Sequence, residues 1–249
     1  MDYNSSMRSQ IKILTNLSIC HLKNYSDLEL AAIFSKDNNN LKILEKLLKT
    51  NKNEQTINEL LMLTMQFDET SSIYAIKLLI KYGADINYTN GCWSAPIYCC
   101  IHLKNIKLIE LLIENGVDIN IKSSGFGNSP LMYLIAQSKE YDDLEIIKLL
   151  IRKGSQVNYR NMKGKTALML CFKLRFNDLI KYDIIKLLLY NKADIYIQNN
   201  KGKNILKHQE NNIEYQKCYS LIFNYRNLEN DHFCECDIKF IYNHITSNF

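Results

Sequence analysis

Five histidines, His21, His102, His208, His232 and His244, are the side chains best placed to move a proton near neutral pH, and no two share a ligand or catalytic spacing. His232 with Cys234 and Cys236 resembles a metal site only loosely. A Cys-x-Cys pair with one nearby His lacks the paired C-x₂-C spacing that tetrahedral zinc requires, so no metal is expected. The nearest approach to a phosphate-binding loop is Gly125-Phe126-Gly127, which falls in a turn rather than between a strand and a helix. Carboxylates are mostly single. Asp142-Asp143 falls between two helical stretches and reads as a solvated loop pair. Asp85 and Asp118 recur at equivalent places because an Asp side chain bonds its own turn backbone. No catalytic residue and no cofactor is expected, and an enzyme reading is set aside.

The whole-chain properties point the same way. Of the 249 residues, 47% are hydrophobic and 23% charged, enough to bury a sizeable core and too apolar for a disordered chain. Two prolines and eight glycines leave little room for loops. The apolar runs are short and broken by lysines, far from the roughly 20 residues of a membrane span. MDYNSSMRSQ at the start has no charged-then-apolar leader pattern, so export is not expected. Cys99, Cys100 and Cys171 sit in apolar stretches, where cysteine behaves as a small hydrophobe; reduced thiols in a cytosolic compartment are expected of the eight cysteines. The net charge of +5 and sixteen tyrosines raise nucleic acid as a ligand. Basic residues are interspersed with acids, and arginine is scarce beside lysine (five against twenty-six), which argues against direct base or phosphate readout.

The elements that would carry any function repeat. IKLLIKYGADIN, ending at Asn87, returns as IELLIENGVDIN, IKLLIRKGSQVN and IKLLLYNKADIY. Anchored on Asn51, Gly83, Gly116, Gly154, Lys192 and Arg226, the units follow one another at intervals of 32, 33, 38, 38 and 34 residues. Upstream of each anchor an apolar triplet such as Ile76, Leu79 and Ile80 occupies one helical face. Gly83, Gly116 and Gly154 fall where a helix ends in a left-handed residue, whereas Lys192 and Arg226 would hold that conformation at a cost of roughly 1 kcal/mol. After each anchor comes a polar turn segment, then a new helix opened by Ala95-Pro96, Ser129-Pro130 or Thr166-Ala167. The longer units place their extra residues in QSKEYDD and KLRFNDLIKY, between paired helices. Only seven residues separate Asn51 from Asn58, where the next helix is expected to start, so no finger projects there.

These units resemble the ankyrin repeat. Gly83-Ala84-Asp85-Ile86-Asn87 matches the family's close, while Gly127-Asn128-Ser129-Pro130-Leu131 and Gly164-Lys165-Thr166-Ala167-Leu168 match its opening. The opening's histidine is replaced throughout, by Tyr98, Met132, Met169 and Lys207, which suggests looser repeats. The resemblance implies an all-α solenoid of about six helix-turn-helix units with β-hairpin fingers on one edge. Residues 1–25 would form an N-terminal cap, 26–226 the repeats (26–57, 58–94, 95–127, 128–164, 165–202 and 203–226), and 227–249 a C-terminal tail or cap. The Asn, Ile and Lys bias is of the kind seen in ankyrin proteins of large DNA viruses, intracellular bacteria and protists.

The implied function is non-catalytic binding of another protein through the hairpin fingers and the first helices. An adaptor whose tail recruits a second complex, such as a ubiquitin ligase, and an inhibitor that occludes an active site are the alternatives. Tyr88, Trp93, Lys122, Phe126, Tyr159, Arg160, Lys163, Lys165, Lys201 and Lys203 are the candidate contact residues, because large aromatics and basic groups stand where such turns are usually small and polar. An acidic or mixed protein surface is the expected partner, in the cytoplasm (the host's, if the source is a virus or bacterium), with the chain itself a monomer. Asn87, Asn120 and Asn158 each follow a leucine by eight residues, a spacing similar to that of ankyrin asparagines hydroxylated in animal cells; the alternative is a turn asparagine with a core leucine.

Overall fold

Apolar side chains three and four residues apart wind the chain into nine helices among the described residues, which carry no strand. The structure, a computed structural model, describes residues 38–50, 53–65, 72–89, 95–138, 140–172, 178–206 and 222. The expected terminal segments 1–25 and 227–249, the anchor Arg226, the His232 cluster and Trp93 lie outside the described residues. No described helix is long and apolar enough to cross a membrane. The chain divides into two compact units, one of residues 1–90 and 95–117, the other of 91–94 and 118–249.

In the first unit, α1 (Asn38–Thr50) and α2 (Glu54–Thr64) are followed by α3 (Ser72–Lys81), α4 (Pro96–His102) and α5 (Ile106–Glu114). α2 pairs with α3, α4 pairs with α5, and α1 packs on α3. The repeated stripe does the packing. Leu44, Leu48, Ile76, Leu79, Ile109 and Leu112 are all buried, each contributing about 1.5–3 kcal/mol. Glu45 adds a polar link from α1 to α3, accepting from the Tyr82 hydroxyl at 3.2 Å and Lys81 at 3.5 Å. Lys49, the Tyr82 hydroxyl and Lys81 hold its carboxyl below the ordinary range. That link is therefore present at neutral pH and is lost as the pH falls through the depressed value.

α2 begins four residues earlier than its sequence suggests. Asn53 caps it, its side chain accepting from Gln55 N and Thr56 N, so Asn58 lies inside the helix. Three residues, 51–53, then separate α1 from α2, and no finger fits. Asn58 is buried instead, and its Oδ1 accepts from Asp85 N at 2.6 Å. In the second unit, the equivalent donors receive an asparagine from the preceding finger, as described below; Asn58 fills that role from a helix.

The second unit contains α6 (Pro130–Gln137), α7 (Asp142–Arg152), α8 (Ala167–Cys171) and α9 (Asp178–Tyr190). Within pairs, α6 packs on α7 and α8 on α9; between pairs, α6 packs on α8 and α7 on α9. Each first helix opens on a capping hydroxyl, Ser129 to Met132 N and Thr166 to Met169 N. Met132 and Met169, at the place of the family's histidine, are buried in apolar surroundings. The second helices of the longer units are longer, 11 residues in α7 and 13 in α9 where α5 has 9, and residues 138–141 lie between α6 and α7. Asp143 corrects the solvated-loop reading. It stands in the first turn of α7, is 0% exposed, and its Oδ2 accepts from Glu140 N at 3.2 Å. Helix start and carboxylate thus fix each other.

The second helices end alike. Ala84 N donates to Leu79 O and Gly83 N to Ile80 O; Val117, Ser155 and Ala193 make the same six-residue closure with Leu112, Leu150 and Leu188. Lys192 occupies the left-handed position of the last closure with φ 64°, as its place in the repeat suggests. Lys104, with φ 55°, does the same after α4, a case the repeat pattern does not mark because it ends a first helix. Replacing Lys192 by Gly is expected to stabilise the chain by about 0.5–1 kcal/mol by relieving that strain. Urea unfolding of Lys192→Gly checks this, and a lowered midpoint contradicts it.

Candidate functional site

Between paired helices of neighbouring repeats the second unit projects three polar fingers, residues 118–129, 153–166 and 191–204. The expected β-hairpins are present as tight loops rather than strands. Ser123 N to Asn128 O closes the first tip, Asn161 N to Lys165 O with Gly164 N to Asn161 O the second, and Asn199 N to Lys203 O with Gly202 N to Asn199 O the third, which is too little ladder for a strand. Asparagine and serine side chains supply the rest. Asn161 Oδ1 accepts from Lys163 N and Lys165 N, Asn199 Oδ1 from Lys201 N and Lys203 N, and Ser123 Oγ from Asn128 N.

Fingers are also stitched to one another at base and tip. At the base, Asn120 Oδ1 accepts from Gln156 N at 2.8 Å and its Nδ2 donates to Gly154 O at 3.2 Å. Asn158 repeats this with Asp194 N and Lys192 O, both at 2.8 Å. Asp118 and Asp194 bond their own turns at Asn120 N and Tyr196 N, as Asp85 does at Asn87 N. At the tip, Met162 N donates to Phe126 O and Asn200 N to Lys163 O. Asn161 Nδ2 donates to Asn128 Oδ1 at 2.7 Å, and Asn200 Nδ2 to Met162 O at 2.8 Å. Every finger is thus held at two levels.

On this frame the candidate contact residues are unequal. Phe126 is 57% exposed, and the Lys163 ammonium sits 3.9 Å from its ring centroid, a cation–π contact across two fingers. Met162 is 67% exposed and lies against Gly127, where a methyl group would meet its Cγ at 3.0 Å; sequence reasoning missed it, because a methionine in a turn gives no signal. Lys122, Lys163, Lys201 and Lys203 are exposed, and no described carboxylate pairs with them, whereas Lys148 pairs with Glu145 at 2.8 Å. Lys165 is half-buried. Arg160 is exposed, with its guanidinium held inward on Gly164 O at 3.4 Å and Asn200 Oδ1 at 3.5 Å. Tyr159 is half-buried, and burial pushes its hydroxyl up from the ordinary value. Tyr88 is half-buried in the turn that follows α3. The three fingers of the second unit hold eight basic residues and two carboxylates, a net +6 that exceeds the +5 of the whole chain. Residues 82–90 of the first unit hold no basic residue and one carboxylate.

Nothing in this arrangement places a nucleophile beside a base, and among the described residues no group of His, Cys, Asp and Glu is arranged to hold a metal. Cys100 and Cys171 are buried, and burial drives the Cys100 thiol far above its ordinary value. The geometry of the fingers offers a charged, apolar-tipped surface.

The model for ankyrin repeats in three copies matches the chain twice, over residues 28–123 and 97–199. The chain belongs to the ankyrin-repeat family. Ankyrin repeats are in general protein–protein interaction modules on a non-catalytic fold. An ankyrin repeat protein of fowlpox virus (strain NVSL) is 33% identical over 95 residues, which cover 38% of this chain and 19% of the relative. One from Rickettsia felis is 44% identical over 52 residues, covering 21% of this chain and 23% of the relative. The matched stretches thus span about a fifth of these relatives. Among solved structures, the ankyrin repeat domain of Bcl-3 superposes with a TM-score of 0.57 at 18% identity, over 72% of this chain and 75% of that one, and shows the shared fold.

Proposed function

We propose that this ankyrin-repeat chain binds another protein without catalysis, through the finger edge of its second unit, and that the partner presents an acidic surface. The observation that carries the reading is the tip cluster: exposed Phe126 and Met162 beside Lys163, with Lys201 and Lys203 on the next finger and no described carboxylate to neutralise them. Aromatic and methionine side chains are enriched in interface cores, and polar and charged groups form their rims. Bonds at base and tip pre-order the fingers, so little entropy is lost when they are covered. A second copy of the chain would bring like charge to like charge, which favours a monomer.

The adaptor alternative rests on residues 227–249, outside the described residues. Cys100 and Cys171 are buried helix side chains, which suits a reducing, cytosolic setting. For Asn87, Asn120 and Asn158 we take the structural reading, because both polar ends of the Asn120 and Asn158 amides are occupied by the next finger. Intact mass after incubation of the folded chain with an asparaginyl dioxygenase, oxygen and 2-oxoglutarate is expected to be unchanged; a gain of one oxygen would overturn that choice.

The binding reading is tested with Phe126→Ala, Lys163→Glu and Lys201→Glu combined. All three sites are exposed, so stability should fall by no more than about 0.5–1 kcal/mol, the worth of the lost Lys163–Phe126 contact, while affinity for a partner recovered by pull-down falls at least about tenfold. Unchanged affinity and unchanged salt dependence would place the binding face elsewhere.

A further inference from the structure

The three fingertips of the second unit are joined in a line whose chemistry changes from end to end. Met162 N donates to Phe126 O at 3.1 Å, and Asn200 N donates to Lys163 O at 3.2 Å, so the tips are tied backbone to backbone. Phe126 and Met162 open the line as an exposed apolar platform. Lys163 follows, its ammonium resting over the Phe126 ring, and Lys201 and Lys203 stand on the third tip. Arg160 lies among them with its fork directed to Gly164 O and Asn200 Oδ1; it adds fixed positive charge and has little freedom to grip a phosphate bidentately.

We propose that this line takes a linear acidic peptide segment in extended conformation, with one bulky apolar side chain on the Phe126–Met162 platform and carboxylates over Lys163, Lys201 and Lys203. The proposal rests on the protein-binding reading and narrows it. Charge complementarity names the sign of the occupant: the fingers carry a net +6, and the lysines on the line have no described counter-charge. The line itself names its form, since apolar and cationic groups follow one another along three joined tips instead of spreading over a broad face. A nucleic acid is the less suited polyanion. The cations are lysines apart from the one committed arginine, and one face of the Phe126 ring at the tips is already covered by an ammonium.

The test is fluorescence anisotropy of a labelled peptide of about twelve residues, with a Leu-Phe pair near one end followed by alternating Asp, Glu and Ser. Comparison probes are the same peptide with Leu-Phe replaced by Ala-Ala, the peptide with its acids made amides, and an oligodeoxythymidylate of equal charge. The anchored acidic peptide is expected to bind, more weakly as salt rises, because exposed charges are screened beyond about 8 Å at physiological salt. Removing either the anchor or the acids should weaken binding about tenfold or more. Phe126→Ala should mimic loss of the anchor at unchanged salt dependence, and Lys163→Gln with Lys201→Gln should flatten the salt dependence. Equal binding with and without Leu-Phe, or equal Phe126-dependent binding of the oligonucleotide, would overturn the proposal. Should every peptide fail while a recovered folded partner still depends on Lys163 and Lys201, the linear-peptide proposal falls and the protein-binding reading stands. Should neither depend on them, both fall.

Discussion

Gly164→Ala is expected to cost about 2–4 kcal/mol of stability, and Gly154→Ala only about 1 kcal/mol, although both glycines have positive φ. The difference is what each new methyl group meets. At Gly154, φ 100°, a Cβ has nothing within 4 Å, so left-handed strain alone is added. At Gly164, φ 69°, it would press on the Asn200 side chain, lie 2.7 Å from Asn200 N and 2.9 Å from Arg160 Nη2. Asn200 N is the donor that ties the third fingertip to Lys163 O, and backbone cannot swing aside as a long side chain can. Strain of about 1 kcal/mol therefore adds to an overlap worth about 1–3 kcal/mol. Urea unfolding of the two variants checks the ranking. Equal losses would mean that the third finger yields freely and that the tips are not a single framework.

Asn161→Ala should cost about 2–3 kcal/mol, with Asn161→Asp recovering most of that loss. Asn161 is 7% exposed and serves two structures at once. Its Oδ1 closes its own fingertip through Lys163 N and Lys165 N, at 2.9 and 3.0 Å, and its Nδ2 reaches Asn128 Oδ1 on the neighbouring finger at 2.7 Å. Alanine removes all three bonds and strands the donors. Aspartate keeps both acceptor contacts and sits among lysines; its second oxygen replaces the cross-finger donor, so Asn128 must turn its amide to donate to it. The expected order of unfolding midpoints is parent, Asp, then Ala; an Asp variant as weak as the Ala variant would shift the weight from the loop to the cross-finger bond.

Where a residue's partner lies within its own repeat, the sequence is mostly a sufficient guide, Asp143 and the Asn53 cap being the exceptions. Glycine at the helix closures, Asp85 and Asp118 on their turns, the Ser129 and Thr166 caps and the strained Lys192 all follow from local rules that need only a few neighbouring residues. Longer reach defeated it. Phe126 and Lys163 are 37 residues apart, and Asn161 and Asn128 are 33 apart, so neither contact leaves a mark on either segment. Arg160 looked available to a partner because its inward bonds depend on Asn200, in the next repeat. Asp143 looked solvated because loop acids usually are; the short link between α6 and α7 instead buries it under the start of α7. Asn58 looked like a helix start because the pattern expects a cap there, whereas Asn53 is nearer the turn and leaves Asn58 free to hold Asp85 N.

Lysine footprinting tests most directly the claim that the finger edge of the second unit is the binding surface. The chain is acetylated alone and with its recovered partner, and the rate at each lysine is read by mass spectrometry. Lys163, Lys201 and Lys203 should react markedly more slowly in the complex, while Lys77, Lys107 and Lys186, exposed on helices, keep their rates. Protection of the helix lysines with the edge lysines unchanged would contradict the account.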